Sequence, residues 1–344
     1  MNDVAGFSRL WLPKIESHLR GLLTGEAPAL TGLYRMLRYH MGWENPAGEP
    51  EQAPQGKRVR PLLVLMACAA AGGDPHQALP AAAAVELVHN FSLIHDDIED
   101  GSPTRRHRPT LWTWVGQAQA INAGDALFTL ARLALLQLEE TIPYSRLVAA
   151  LRLFDSTCLH LTEGQYLDIS FESRTRVAVE EYMTMIAGKT AALLAGSAHL
   201  GALVATEATA ITTACHRFGH ELGLSFQIQD DILGIWGDEA LTGKSASSDL
   251  LTRKKTLPVL YALQQPDEAA LALAAYYAPD RELTAADLPA MLALLDRLQA
   301  RAYAEAAAQA HAETALRALD EAPLTEEGRS LLRALALQLL GRTH

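Results

Sequence analysis

Cysteine is scarce in this chain of 344 residues: there are three, Cys68, Cys158 and Cys215. Their scattered positions offer no disulfide framework and fit a reducing compartment. Basic charge is also short. Lysine and arginine total 29 against 40 aspartates and glutamates, a formal net charge of −11. That balance argues against nonspecific binding to nucleic acid, so any anion must be met locally by placed arginines and lysines. Long apolar runs are missing as well: none approaches the roughly 18 residues that a membrane span needs, and no signal peptide opens the chain. Alternating β-branched runs are rare, and no linker divides the sequence. These absences lead us to expect a soluble, cytoplasmic protein of one domain, with no nucleic-acid partner and no stable membrane insertion.

What is present is helix. Apolar residues recur at helical spacing nearly everywhere, and Ala and Leu, both strong helix formers, dominate. Phe7 to Leu23 and Leu30 to Trp43 read as amphipathic packing helices of the N-terminal region, residues 1–50. Pro46, Gly48, Pro50 and Pro54 make the following stretch a loop. Further helices are predicted from Pro61 through Cys68, Gln77 to Asp100, Leu111 to Leu138, Leu147 to Ser170, Val179 to Leu203 and Cys215 to Trp236. Leu288 to Leu319 and Thr325 to Leu340 read as packing helices within residues 266–344, a region without a chemical motif. The expected fold class is all-α, a single-domain helical bundle around a central cavity, with the chemistry confined to residues 56–258.

The chain is organised around VELVHNFSLIHDDIEDGSPTRRHRPT, from Val85 to Thr110. On a helix Asp96 and Asp100 share a face, with Asp97 beside them, and like charges at that spacing repel. A hard cation such as Mg²⁺ relieves this, since it takes one or two carboxylates and completes its shell with water and substrate phosphates. Arg105 and Arg106 follow at once, with planar forks suited to phosphate oxygens. Acids for a metal followed by bases for phosphate point to a diphosphate site; the plainer alternative is a solvated charged helix end.

A second constellation weighs against that alternative. Asp230 and Asp231 repeat the acidic pair near the end of an apolar helix, and Gln227 lies three residues earlier on the same side. A charged loop from Gly237 to Thr256 follows, with Lys244, Asp249, Lys254 and Lys255. Lys189, inside the apolar run AGKTAALLAG, needs a partner because an unpaired buried ammonium is costly, and a substrate diphosphate would serve. Lys57 and Arg60, in GKRVRP, stand at a positively polarised helix start that favours anions. Gln165 and Asp168 share a polar face, either orienting a metal site or forming a structural pair. Ser92 and Phe91 precede Asp96 by four and five residues, so a hydrocarbon tail running back along the helix from the acids meets Ser92 first. The Phe91 ring either closes that pocket or belongs to the core.

These stretches, from about Gly56 to Pro258, resemble the trans-isoprenyl diphosphate synthases, that is, the polyprenyl synthetase family. DDIEDGSPTRRHRPT is similar to the first aspartate-rich motif with its paired arginines, and GKRVRP to the isopentenyl diphosphate-binding motif. Gly188-Lys189-Thr190 is similar to the family's Lys-Thr pair, and the stretch from Gln227 through the lysine loop to its second aspartate-rich motif. The resemblance implies the isoprenoid synthase fold and a prenyltransferase that joins isopentenyl diphosphate to an allylic diphosphate. It implies about three Mg²⁺ ions held through Asp96, Asp97, Asp100, Asp230 and Asp231. It implies substrate contacts from Lys57, Arg60, His89, Arg105, Arg106, Lys189, Thr190, Gln227, Lys244 and Lys254, with Lys189, Thr190, Gln227 and Lys244 also serving catalysis. Phe91 and Ser92 would set chain length, at geranylgeranyl diphosphate; farnesyl or longer products, a noncatalytic regulatory subunit and a class I terpene cyclase are the alternatives. A homodimer is expected. One departure stands out: the fifth position of the second motif, an aspartate in the family, is Gly234.

Overall fold

The structure, a computed structural model, describes residues 3–25, 27–54, 56–237, 247–278 and 281–341. It is built almost wholly of helix, in accord with the all-α expectation. In chain order α1 spans Val4–Leu22, α2 Thr31–His40, α3 Val59–Ala70 and α4 Leu79–Glu99. A two-stranded hairpin follows, β1 Thr104–Arg105 and β2 Arg108–Pro109, then α5 Leu111–Val115, α6 Gln117–Leu136 and α7 Tyr144–Glu172. α8 spans Val179–Ile186 and continues through a π-helical turn, Ala187–Ala191, into α9, Ala192–Ala205. After α10, Thr209–Trp236, come α11 Ser248–Leu251, α12 Leu257–Leu263, α13 Glu268–Tyr276, α14 Leu288–Arg297, α15 Ala300–Glu321 and α16 Glu326–Leu340.

Three long helices expected from periodicity are interrupted, each for a backbone reason. Gly116, at φ +81°, separates α5 from α6. Gln299 takes the left-handed conformation, φ +56°, between α14 and α15. The π turn inserts an extra residue into the expected helix from Val179, and such bulges are frequent at functional sites. The hairpin was not foreseen. Both residues at its tip, Arg106 and His107, have positive φ, 52° and 63°. Tight hairpins demand that conformation, usually of Asn and Gly, and for other residues it costs of order 1 kcal/mol or more each.

The chain divides into two compact units interleaved in sequence: residues 1–155, 197–213 and 323–332 in the first, and 156–196, 214–322 and 333–344 in the second. In the first, α4 packs closely on α6 because both present small side chains: Ala81 to Ala84 on one, and Ala120, Ala123 and Ala131 on the other, are fully buried. Gly124 is required there, since a Cβ would lie 2.5 Å from Cδ2 of His95. In the second, Tyr182, Ile186, Leu224, Ile228, Ile232, Leu260 and Ala304 form one apolar cluster and Ile235, Leu250, Val259, Leu273, Met291 and Leu295 another. Among the described residues no helix is long and apolar enough to cross a membrane, and the three cysteines are buried and form no disulfide.

The first unit also contains a buried ion pair. Arg58, only 6% exposed and at φ +48°, caps the start of α3. Its Nη1 donates to Oε1 of Glu86 at 2.5 Å and its Nε to Oε1 of Glu16 at 2.8 Å. Burial opposes the guanidinium's charge, but Glu86 and Glu16 outweigh it and raise the Arg58 pKa. Glu86, 2% exposed, accepts as well from Nδ2 of Asn90 at 2.7 Å. Removing one partner of a buried pair leaves the other charge inadequately compensated, at about 3–5 kcal/mol. Glu86→Ala is therefore expected to lower unfolding free energy by about 3 kcal/mol in urea titrations.

Candidate active site

The two acidic motifs lie in different units. At the end of α4 Asp96 is half-buried and Asp100 exposed, whereas Asp97 is 2% exposed. Nε of Arg105, on β1, donates to Oδ1 of Asp97 at 2.7 Å. Burial raises the Asp97 pKa, and Arg105 works against that rise. The hairpin is fastened to α2 by Arg108, whose Nη1 and Nη2 donate to the carbonyls of Tyr39 and Glu44 at 3.0 and 3.1 Å. The strained turn thus holds Arg105 beside the acids and carries Arg106 to its tip.

The expected anion-binding residues of the first unit converge. Arg106 lies against Gly56, whose left-handed backbone (φ +77°) would place a Cβ 2.9 Å from Nη2 of Arg106. Lys57 follows Gly56 and is exposed. Nη1 of Arg60 donates to Nε2 of His89 at 3.4 Å, while its Nε is buried without an acceptor among the described residues. Burial first, then Arg60, Arg106, Arg105 and Arg58, hold the His89 pKa well below the ordinary value, so the ring is neutral at physiological pH. His40, unremarked in the sequence, is buried within reach of the same charges. Burial and then Arg106, Arg105, Arg58 and Arg108 lower its pKa to about 3. This concentration of cations in a chain of net negative charge is a place built for an anion.

Upstream of the acids, Phe91 is half-buried against two rings: Phe128 on α6, at 5.0 Å between centroids, and His95, edge-on at 4.8 Å. Oγ of Ser92 donates back to the carbonyl of His89 at 2.9 Å. Phe128 escaped the sequence reading; its only signal was its place on α6 one turn beyond Gly124.

In the second unit the π turn carries Lys189 and Thr190. Nζ of Lys189 is ion-paired with Asp168 on α7, so the ammonium expected to need a partner has one within the chain. Oγ1 of Thr190 donates to Oε1 of Gln227 at 2.7 Å, and Nε2 of Gln227 donates to Oδ1 of Asp231 at 3.2 Å. Asp231, 1% exposed, also accepts from the Tyr182 hydroxyl at 2.6 Å and from the Leu257 amide at 3.1 Å. Burial raises its pKa to about 6, against Lys254, Tyr182 and Leu257. Asp230, its neighbour, is exposed. Lys254 is partly exposed; burial opposes its charge, but Asp231, Asp249, Asp230 and Asp168 outweigh it and raise its pKa. Tyr182 was also missed, because nothing local marks a tyrosine on α8 as a partner of an aspartate 49 residues away. Lys244 lies outside the described residues.

Both motifs therefore follow one pattern, in which the second aspartate of the pair is buried and anchored and the first is the more exposed. Among the described residues no group of three or more His, Cys, Asp or Glu side chains forms a ready metal cage. The more exposed carboxylates, Asp96, Asp100 and Asp230, fit Mg²⁺, which needs few protein ligands when phosphates complete its shell.

A family model described as polyprenyl synthetase matches residues 48–295. This chain belongs to the polyprenyl synthetase family. It is 44% identical over 279 residues to a farnesyl diphosphate synthase of Mycobacterium tuberculosis, covering 80% of this chain and 77% of the other. It is also 44% identical over 290 residues to a geranylgeranyl diphosphate synthase of the same organism, covering 84% and 82%. The crystal structure of a polyprenyl synthetase from Streptomyces coelicolor superposes with a TM-score of 0.90 at 37% identity, over 98% of this chain and 100% of that one. The fold and the family resemblance read from the motifs both hold, and this polyprenyl synthetase is a prenyltransferase that makes a trans-prenyl diphosphate.

The synthetase holds its π turn in place by close backbone approach. A Cβ on Gly164 of α7 would lie 2.7 Å from Cα of Lys189. Gly164→Ala is expected to cost at least about 2 kcal/mol by overpacking. Gly21→Ala, where a Cβ has nothing within 4 Å, is expected to gain a few tenths by removing a helical glycine. Paired melting curves check the contrast.

Proposed function

We propose that this synthetase condenses isopentenyl diphosphate with an allylic diphosphate, with Mg²⁺ as cofactor, and that its principal product is geranylgeranyl diphosphate. The observation that supports it best is the recurrence, in both acidic motifs, of a more exposed aspartate beside an anchored one. Asp96, Asp100 and Asp230 are assigned to the metal, and Asp97 and Asp231 to holding the helix ends that present them. When bound, Mg²⁺ would supply positive charge to the allylic diphosphate and ease its departure.

The chain's own residues do the rest. Arg105, in the first unit, and Lys189 and Lys254, in the second, are each assigned to a diphosphate as a source of positive charge, the electrostatic contribution expected to dominate such a reaction. Thr190 and Gln227 form a hydrogen-bonded chain to Asp231 that fixes the turn bearing Lys189. Lys57, Arg60, His89 and Arg106 bind isopentenyl diphosphate, for which the unmatched Nε of Arg60 is a donor. A neutral His89 accepts from Arg60 through Nε2 and keeps its other ring nitrogen as a donor. The double bond of isopentenyl diphosphate attacks the allylic cation, and the proton then lost goes to the departing pyrophosphate, since no side chain stands out as a general base. Lys244 belongs to this reading through the resemblance alone.

Relatives named for farnesyl and for geranylgeranyl products are equally similar, so product length rests on the pocket. The paired rings of Phe91 and Phe128 support a floor at the geranylgeranyl length. We further infer that the whole chain works as one catalytic domain, is cytoplasmic and forms a homodimer. The exposed Ile121, Leu133 and Leu136 of α6 offer an apolar face for a second copy. Light scattering on the purified protein checks this: twice the monomer mass is expected.

The decisive test supplies Mg²⁺, isopentenyl diphosphate and dimethylallyl, geranyl or farnesyl diphosphate in turn, and reads product length. Elongation ending at geranylgeranyl diphosphate is expected, abolished by chelating the metal. Phe91→Ala should lengthen the product by at least one isoprene unit; an unchanged product would remove Phe91 from the floor.

A further inference from the structure

One side of α1 borders a cleft that the proposed reaction leaves unused. It lies wholly in the first unit, between α1, the 3₁₀ turn Pro75–Ala78 and Gln137 at the end of α6. Its volume is about 760 Å³, within the roughly 300–1,000 Å³ of small-ligand sites. Lys14, Ser17, His18 and Gly21 recur at three- and four-residue spacing, so they present one face of α1 to the cleft. Leu22 and Leu79 give it an apolar wall. Among the described residues no aspartate or glutamate lines it, in a chain whose net charge is −11.

The basic side chains there are held in place. Nζ of Lys14 lies 2.7 Å from Nε2 of His76. An ammonium has no lone pair, so Lys14 donates and His76 accepts at Nε2. The ring proton of His76 is thereby confined to Nδ1, which donates to Oδ1 of Asp74 at 3.0 Å. The His76 amide donates to the same oxygen at 2.9 Å, so the carboxylate that attracts Lys14 is already engaged. Lys14 also rests on the Trp11 ring, 4.4 Å from its centroid, and Trp11 meets His76 edge-on at 4.6 Å. His18 adds an orphan: its Nε2 is buried with no partner among the described residues, while its other nitrogen is engaged by Gln137. Gly21 adds room. A Cβ there would meet nothing within 4 Å, so packing does not demand a residue that weakens the helix, and the missing side chain leaves the cleft open.

We propose that this cleft is a second ligand site, for a phosphate monoester with a small apolar substituent, the phosphate meeting Lys14 and His18 and the substituent Leu22 and Leu79. Donors on three residues, Lys14, Ser17 and His18, suit the several oxygens of a phosphate better than the two of a carboxylate. Lysine binds phosphate as a compact point charge. Occupancy is coupled to the substrate end of the same unit. Glu16, on the opposite side of α1 from Lys14 and His18, accepts from Nε of Arg58 at 2.8 Å and from Nε1 of Trp43 at 2.9 Å. A ligand that shifts α1 shifts Glu16, and with it Arg58, two residues before Arg60. The coupling, though not the cleft, rests on the reading of Arg60 and His89 as the isopentenyl diphosphate site.

The test titrates phenyl phosphate into the full chain and follows the ring signals of ¹³C-labelled histidine by NMR. The signals of His18, His76 and His89 are assigned from their Gln variants. In wild type the His18 and His76 signals should move and saturate. Lys14→Met should raise the half-saturating concentration about tenfold or more, the loss of one charge-assisted hydrogen bond. Gly21→Leu fills the empty space without touching a charge, and should abolish the movement. An unmoved His89 signal in each ligand-free variant shows that the fold is intact. The proposal is overturned by still His18 and His76 signals in wild type, or by either variant binding as wild type does. Phenol binding as tightly as phenyl phosphate removes the phosphate from it, and inorganic phosphate binding as tightly removes the substituent. For the coupling, saturating isopentenyl diphosphate should change the half-saturating phenyl phosphate about fivefold or more, and phenyl phosphate should change that of isopentenyl diphosphate by the same factor. Glu16→Gln should shrink both changes, and two independent titrations in wild type overturn the coupling. If His89 ignores isopentenyl diphosphate while His18 and His76 follow phenyl phosphate, the substrate reading fails and the cleft stands. The reverse result sinks the cleft and leaves the substrate reading in place.

Discussion

The interaction on which the anion-binding half of this protein depends is the buried pair of Arg58 with Glu86 and Glu16. A guanidinium in the left-handed region, nearly sealed from water, is costly on both counts, and two carboxylates offset that cost. The pair ties the loop bearing Lys57 to α1 and α4, and so sets where α3 begins and where Arg60 meets His89. It also leaves a surplus of positive charge. Arg60, Arg105 and Arg106 crowd around two neutral histidines, and the nearby glutamates are already engaged. Such a surplus is stable in the folded chain only because the packing holds it, and it is what a diphosphate would relieve.

The acidic motifs solve the complementary problem by division of labour. Adjacent aspartates cannot both anchor a helix end and both face a ligand. One of each pair is therefore buried and anchored, by Arg105 at Asp97 and by Tyr182, Gln227 and the Leu257 amide at Asp231. The other is the more exposed, at the end of a helix whose direction is already fixed. Lys189 follows the same logic from the opposite sign: Asp168 holds it and the π turn aims it.

Much of the site was legible because its chemistry is local. Acids at helical spacing, arginines directly after them, a lysine in an apolar run and a basic helix start all announce themselves within a few residues. What escaped was whatever acts through distance in sequence. Tyr182 and Asp231, Phe91 and Phe128, and Arg58 and Glu86 are brought together by packing alone. The breaks at Gly116 and Gln299 escaped too, because hydrophobic periodicity continues across an interruption of one residue.

The sequence by itself determined the all-α class, the family and the types of residue that do the chemistry, because helical periodicity and motif spacing are properties of short stretches. Only the tertiary structure decided which aspartate of each pair is the more exposed and which is buried. Only it revealed that the hairpin takes a strained turn to deliver Arg105. Gly234 marks the boundary most sharply. In the sequence it is a departure from the motif, while in the fold it is the space beside which the carboxylate of Asp249, fifteen residues on, lies too close for any side chain. Whether a glycine is a loss or an opening depends on what packs against it, and that is not written in its neighbours along the chain.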